Sequence, residues 1–100
     1  PKVYITVAGR SNALSAVVDA HVCAPVIACP PYSDQFGGAD IFSSLRMPGG
    51  IAPAVVTAPE GAAMLAAKML SLHDPALRDK VRAAQQANTD TIVADDAALQ

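Results

Sequence analysis

The sequence has little charge for its size, and several residue types are scarce. Only 16% of its 100 residues are charged, tryptophan is absent and cysteine occurs twice. Average domains carry about 25% charged residues. A small monomer with so little charge would expose much apolar surface, because a large share of a chain this size stays in contact with water. We therefore expect the chain to bury surface against other subunits, or to be one piece of a larger unit.

These scarcities also exclude several functional classes. With seven basic and nine acidic residues, the chain lacks the excess of positive charge that is typical of nucleic-acid-binding proteins. No apolar run approaches the ~20 residues of a membrane span, and the first residues lack the layout of a secretory signal. Cys23 and Cys29 are too few for a disulfide framework or a zinc site. We expect reduced thiols, a cytoplasmic location, no metal, and neither nucleic acid nor membrane as a partner.

Strands and helices alternate along the chain, which predicts a parallel α/β sheet within a single domain. Three strands are fewer than the five usual in a flavodoxin-like sheet. We therefore expect that an N-terminal β-α-β-α portion is missing. The predicted strands are 3–8, 26–29 and 54–57, and the first two are apolar runs that we expect to be buried. The predicted helices are 12–21, 41–47, 59–73 and 76–96.

The single domain, residues 1–100, has two parts. Residues 1–72 form the C-terminal part of an α/β core, and residues 74–96 form a C-terminal helix that begins at Asp74 and Pro75. Its apolar stripe is thin and consists mainly of Leu77, Val81 and Ala84. We expect this helix to pack on a neighbouring subunit.

Two segments are candidates for ligand binding, because ligands of parallel sheets bind beyond the carboxyl ends of the strands. The first leads from the first strand into a helix and consists of Ala8, Gly9, Arg10, Ser11 and Asn12. Glycine permits close backbone approach, helix amides attract anions, and arginine offers a forked donor. The spacing alone fits equally a turn with a helix cap and a surface arginine. It matches neither a dinucleotide fingerprint nor a P-loop.

The second segment precedes the third strand and contains Ser43, Arg46, Met47 and Pro48. By itself it indicates a helix end followed by a turn. His21 and His73 each end a predicted helix, where a charged histidine is favourable. Neither has partners at a spacing typical of a triad or a metal site, so we interpret both as structural.

Several runs, taken together in their order, resemble the phosphoribosylaminoimidazole carboxylases of the PurE family. They are A-G-R-S-N at 8–12, C-P-P at 29–31, S-S-L-R-M-P at 43–48 and P-E-G-A-A at 59–63. The similarity covers roughly residues 2–72. Class I members carry a glycine- and alanine-rich stretch ending in histidine where this chain has residues 9–12. The sequence therefore resembles class II, the form fused to a synthetase domain in animals.

The resemblance implies a three-layer α/β/α flavodoxin-like fold and a homo-octamer with active sites between subunits. It implies reversible carboxylation of 5-aminoimidazole ribonucleotide (AIR) with CO2 to 4-carboxy-AIR in purine synthesis, without cofactor or metal. Ala8 to Asn12 match the stretch near the ring and CO2, with Ser11 holding CO2 and Arg10 ordering the pocket. Ser43, Arg46, Met47 and Pro48 match a loop that forms the site wall or an interface.

Two family elements do not occur in the sequence: the loop that takes the ribose phosphate, and the Ser-Ala-His segment that supplies the catalytic histidine. The resemblance places both upstream of Pro1, so we do not transfer that role to His21 or His73, and this chain alone would lack the catalytic base. Two alternatives stay open: a non-catalytic truncated paralogue or oligomer-forming half-domain, and a generic flavodoxin-like nucleotide binder. The second is weaker, since it has no phosphate loop beyond residues 9–12.

Overall fold

The computed structural model describes residues 1–7, 13–30 and 49–99. Within them, strands and helices alternate in the order β1, α1, β2, β3, α2, a 3₁₀ helix and α3. Their bounds are Tyr4–Thr6 for β1, Ala13–His21 for α1, Val26–Ala28 for β2, Ala54–Val55 for β3, Pro59–Leu70 for α2, Ser71–His73 for the 3₁₀ helix and Pro75–Leu99 for α3. The helix predicted over 41–47 lies outside the described residues.

The three strands form one parallel sheet in the order β1-β2-β3, which confirms the predicted α/β class. In the register, Ile5 lies beside Ile27 and Ile27 lies beside Ala54. The middle strand, β2, is fully buried because it has a neighbour on each side and a helix on each face. Such burial on both faces explains why β2 is a continuous apolar run and not an alternating one.

The core lies between the sheet and α2. Ile27 and Cys29 meet Ala62 and Ala66 of α2, while Leu65 and Met69 pack at the margin. The other residues of β2, Val26 and Ala28, are buried but point to the other face, because side chains alternate along a strand. Since α1 contacts β2 as well, we place α1 on that second face. The sheet therefore has a helix on each side.

The first strand differs from the prediction. We expected a buried strand, but Tyr4 and Ile5 are 37% and 42% exposed, and only Thr6 is buried. The reason is position, since β1 is at the end of the strand order in the described residues. Its β-branched and aromatic residues predict a strand correctly and cannot tell a central strand from an outer one.

The C-terminal helix begins as the sequence predicts. The backbone N–H of Leu77 donates to the Asp74 Oδ1 at 3.1 Å, and Pro75 occupies the first helical position. Arg78 donates to the Ser71 carbonyl oxygen at 3.3 Å and ties the helix to the preceding 3₁₀ turn. Beyond Val81, which is buried, residues 82–98 are all exposed.

Candidate functional site

The carboxyl ends of the three strands form one edge of the sheet. Beyond the paired strand residues, Cys29 N–H donates to the Thr6 carbonyl oxygen at 2.8 Å, and Val56 N–H donates to the Ala28 carbonyl oxygen at 2.9 Å. These two bonds continue the parallel ladder by one residue on each side of β2. The edge at which the sequence predicts ligand binding is therefore held in a fixed register.

The first predicted segment, Ala8 to Asn12, lies outside the described residues. The structure describes what precedes and follows it: β1 ends at Thr6, and α1 begins at Ala13. The segment therefore connects the carboxyl end of β1 to the N-terminus of α1. Backbone N–H groups at a helix N-terminus have no intrahelical partner and favour anionic groups. Binding of an anionic group at this connection stays a prediction.

The second predicted segment, with Ser43, Arg46, Met47 and Pro48, also lies outside the described residues. The next described residues, Gly49 and Gly50, form a turn before β3. There the Ala52 N–H donates to the Asp19 Oδ2 of α1 at 2.7 Å. This bond fixes where the chain returns to the sheet. It joins residues 33 apart in sequence, so no local pattern predicts it.

The turn at Gly49 and Gly50 supplies a matched pair of substitutions. Gly50 has a φ of 87°, in the left-handed region, whereas the φ of Gly49 lies outside that region. A Cβ at either position would meet no atom within 4 Å. Gly50→Ala should therefore lower the free energy of unfolding by about 1 kcal/mol, because a left-handed backbone disfavours a side chain. Gly49→Ala should leave it unchanged or raise it by about 0.4–1 kcal/mol. Urea denaturation of both variants measures the difference, and equal effects would contradict the assigned backbone conformation.

Two polar side chains at the carboxyl edge are buried. The Cys29 thiol is 4% exposed and lies 3.8 Å from the carbonyl oxygen of Thr57. The Thr6 hydroxyl is buried and has no hydrogen-bond partner among the described residues. The sequence analysis did not include Thr6 among the candidate site residues, although a threonine within an apolar run was a signal that could have found it. Cys23, unlike Cys29, is exposed, and both are free thiols.

The P-E-G-A-A motif forms the first turn of α2, at the same edge. Ala58 caps this helix without a side-chain hydrogen bond, Pro59 begins it, and Glu60 places a negative charge in its first turn. A Cβ at Gly61 would lie 3.0 Å from Val56 Cγ1. Glycine there lets the helix lie close to the end of β3. The start of α2 and its close packing on the end of β3 therefore account for the residues of this motif.

Neither histidine is at the carboxyl edge. His21 ends α1 and His73 ends the 3₁₀ helix after α2, so both lie towards the amino ends of the strands. The His21 Nδ1 is 2.7 Å from the carbonyl oxygen of Val17 in its own helix. This arrangement agrees with the structural interpretation of both residues. The catalytic histidine expected upstream of Pro1 stays a prediction, and neither described histidine takes its place at this edge.

Across the described ranges, no three His, Cys, Asp or Glu side chains are grouped so that they could hold a metal ion. None of the helices described is both long and apolar enough to cross a bilayer.

A parallel sheet with helices on both faces, and a glycine-containing connection from a strand into a helix, defines an α/β protein of the flavodoxin-like type. The sequence model of AIR carboxylase matches residues 1–91. The chain therefore belongs to the AIR carboxylase family.

Proteins similar in sequence to this chain are named as phosphoribosylaminoimidazole carboxylases. A phosphoribosylaminoimidazole carboxylase of Treponema denticola is 55% identical over the whole chain, which spans 63% of that relative. One from Archaeoglobus fulgidus is 62% identical over 79 residues, which are 79% of this chain and 44% of the relative. The crystal structure of Treponema denticola PurE covers the whole chain with a TM-score of 0.97 at 55% identity, and the chain covers 63% of it. The chain thus spans less than two thirds of the length of these relatives.

Proposed function

We propose that the protein reversibly carboxylates AIR at C4 with CO2, giving 4-carboxy-AIR in purine synthesis. The observation that carries the proposal is the family match over residues 1–91, which includes both candidate segments. The relatives are named as phosphoribosylaminoimidazole carboxylases. The parallel sheet supports it as well, because its carboxyl edge is where such folds bind ligands.

The reaction needs little covalent chemistry from the protein. The amino group of AIR makes C4 nucleophilic, as in an enamine, so C4 attacks the carbon of CO2 and one C–C bond forms. The C4–H bond then breaks, its electron pair returns to the ring, and the proton passes to a base. The protein must hold CO2 beside C4, exclude water and accept that proton.

We assign the first two tasks to the segment between β1 and α1. Ser11 and the backbone amides around it hold CO2, and Arg10 orders the pocket or the product carboxylate, as a forked donor does. Gly9 lets the ligand approach the backbone, while Ala8 and Asn12 complete the connection. We place Ser43, Arg46, Met47 and Pro48 at the wall of the site or at an interface.

The third task, accepting the proton from C4, needs a base outside these two segments. We propose a histidine upstream of Pro1 for this role, as the family resemblance implies. His21 and His73 are poor candidates, because both lie towards the amino ends of the strands and away from the carboxyl edge. The base and the CO2-binding segment would then come from different parts of the protein.

We also propose that the protein acts as a homo-octamer in the cytoplasm, with AIR and CO2 as its small-molecule partners. Five large apolar side chains on or beside β1 and α1 are between 37% and 63% exposed in this chain, and the expected N-terminal portion or neighbouring subunits would cover them: Tyr4, Ile5, Val7, Leu14 and Val17. Exposed apolar surface of this kind marks interaction sites. The free thiols Cys23 and Cys29 fit a reducing compartment.

The decarboxylation direction provides the test. The intact protein, given 4-carboxy-AIR without ATP, biotin or metal, should release CO2 and AIR in equal amounts. Release should stop when dissolved CO2 and AIR reach the level set by equilibrium, because the reaction is reversible. Heat-denatured protein is the control for spontaneous loss of CO2. No release above that control would contradict the proposal.

A further inference from the structure

Thr6 is the last residue of β1 and lies at the carboxyl edge of the sheet. Its side chain is 6% exposed, whereas Tyr4 and Ile5 of the same strand are 37% and 42% exposed. The hydroxyl oxygen of Thr6 is buried and has no hydrogen-bond partner among the described residues. Further chain or further subunits can only add to the burial of this side chain. Its burial therefore does not depend on how much of the protein surrounds β1.

The hydroxyl of Thr6 has a cost for the fold. Nearly all buried polar groups in proteins are hydrogen-bonded, because a group buried without a partner loses the bonds that it makes to water. Valine has almost the same shape as threonine, also favours strands and carries no polar atom. Strand formation and packing therefore do not explain threonine in preference to valine at this position. We expect the hydroxyl to have a partner that binds there.

The side chain of Thr6 faces the layer that contains α1. Thr6 is paired with Ala28 in the register, and paired residues of neighbouring strands point to the same face of a sheet. Ala28 points to the face on which α1 lies, opposite the face covered by α2. Ser15, in the first turn of α1, is fully buried and has a partner. Among the described residues, Thr6 is the buried side chain left without one.

Two kinds of hydrogen-bond donor therefore belong to this end of the sheet, the Thr6 hydroxyl and the first N–H groups of α1. Those N–H groups have no intrahelical partner and favour negative charge, and the first turn of α1 contains no acidic side chain. The oxygens of CO2 carry partial negative charge but accept hydrogen bonds weakly, so CO2 competes poorly with water for a donor. A donor that is shielded from water therefore suits CO2.

We propose that the Thr6 hydroxyl donates a hydrogen bond to an oxygen of CO2 bound at the N-terminus of α1. This inference rests on the proposed carboxylation and names a further binding residue for it. Negative charge grows on the CO2 oxygens as the carboxylate forms, so the bond from Thr6 strengthens along the reaction. The hydroxyl thus lowers the stability of the free protein and stabilises the bound ligand.

Kinetics of the intact protein test the role of the hydroxyl. Thr6→Val should raise the KM for CO2 by about two- to tenfold, as expected for the loss of one neutral hydrogen bond, and leave the KM for AIR unchanged. Thr6→Ser keeps the hydroxyl and should retain the wild-type KM for CO2. An unchanged KM for CO2 in Thr6→Val, or an equal rise in Thr6→Ser, would overturn the proposal.

Thr91→Val is the matched control, because it makes the same substitution at an exposed threonine of α3. The hydroxyl of Thr91 already donates to the carbonyl oxygen of Ala87 at 3.0 Å. This variant should leave the KM values for CO2 and AIR unchanged. A rise in the KM for CO2 equal to that of Thr6→Val would show a general effect of the substitution and overturn the proposal.

Unfolding of the intact protein without ligand gives a second readout that does not depend on activity. Thr6→Val should raise the folding equilibrium constant by about fivefold or more, seen as a higher midpoint in urea, because it removes an unpaired buried hydroxyl. A hydroxyl paired by another part of the protein predicts a lower midpoint, and an unchanged or lower midpoint would overturn the proposal. Absence of carboxylation by the wild-type protein would instead contradict the proposed function, and this inference with it.

Discussion

Replacing Arg10 by alanine should lower kcat/KM for AIR carboxylation by about 10²–10³-fold, the usual effect of losing one aimed donor at developing charge. The guanidinium can hold the product carboxylate through two parallel hydrogen bonds, and alanine leaves that charge unpaired. Steady-state kinetics of the intact protein, with AIR and dissolved CO2 varied separately, measure the effect. The free energy of unfolding should change little by comparison.

Ser11→Ala should act mainly on CO2. The loss of one neutral hydrogen bond is worth about 0.5–1.5 kcal/mol, so the apparent KM for CO2 should rise up to about tenfold. Lys68→Ala, which removes a charge on α2 away from the proposed site, is the matched control and should leave the kinetics unchanged. If Arg10→Ala and Ser11→Ala both keep full activity, the assignment of residues 8–12 to the site is wrong.

Ile27→Ala should lower the free energy of unfolding by about 2–5 kcal/mol. Ile27 is 0% exposed at the centre of β2 and belongs to the core cluster with Ala62 and Ala66. The truncated side chain leaves a cavity between the sheet and α2, which the small alanines cannot fill. Since small domains are stable by only about 5–15 kcal/mol, much of the folded population should be lost.

Leu72→Ala is the comparison for this core variant. Leu72 lies in the 3₁₀ helix and is 72% exposed, so its truncation should cost less than about 0.5 kcal/mol. Urea denaturation of both variants, followed by circular dichroism, gives the two values. Similar losses for Ile27→Ala and Leu72→Ala would contradict the position of the core.

The parallel α/β class followed from the alternation of apolar runs with helical segments. The start of α3 was predictable too, because Asp74 and Pro75 carry a local signal that the 3.1 Å bond from Leu77 confirms. Strand lengths were overestimated: β1 ends at Thr6 and β3 at Val55, two residues short of each prediction. The paired part of a strand depends on its neighbours, which the sequence of that strand does not specify.

The site could be predicted only in part. The connection between β1 and α1 was proposed as a binding segment from its glycine, its arginine and its position after a strand, and that role stays a prediction. The bond between Asp19 and Ala52 was not predictable, because it links a helix to a turn far along the chain. Burial of Thr6 agrees with the buried strand expected there, but the lack of a hydrogen-bond partner for its hydroxyl among the described residues was not predicted, since it depends on the packing around β1. Features that depend on tertiary contacts were therefore the ones missed.

Incorporation of labelled carbon tests the central claim most directly. The intact protein is incubated with AIR and ¹³C-bicarbonate, without ATP, and the product is followed by ¹³C NMR. The account predicts enzyme-dependent growth of a carboxylate signal bonded to C4 of the imidazole, slowed strongly by Arg10→Ala. Absence of this signal with the wild-type protein would contradict the carboxylase assignment and favour a non-catalytic, assembly-forming member of the family.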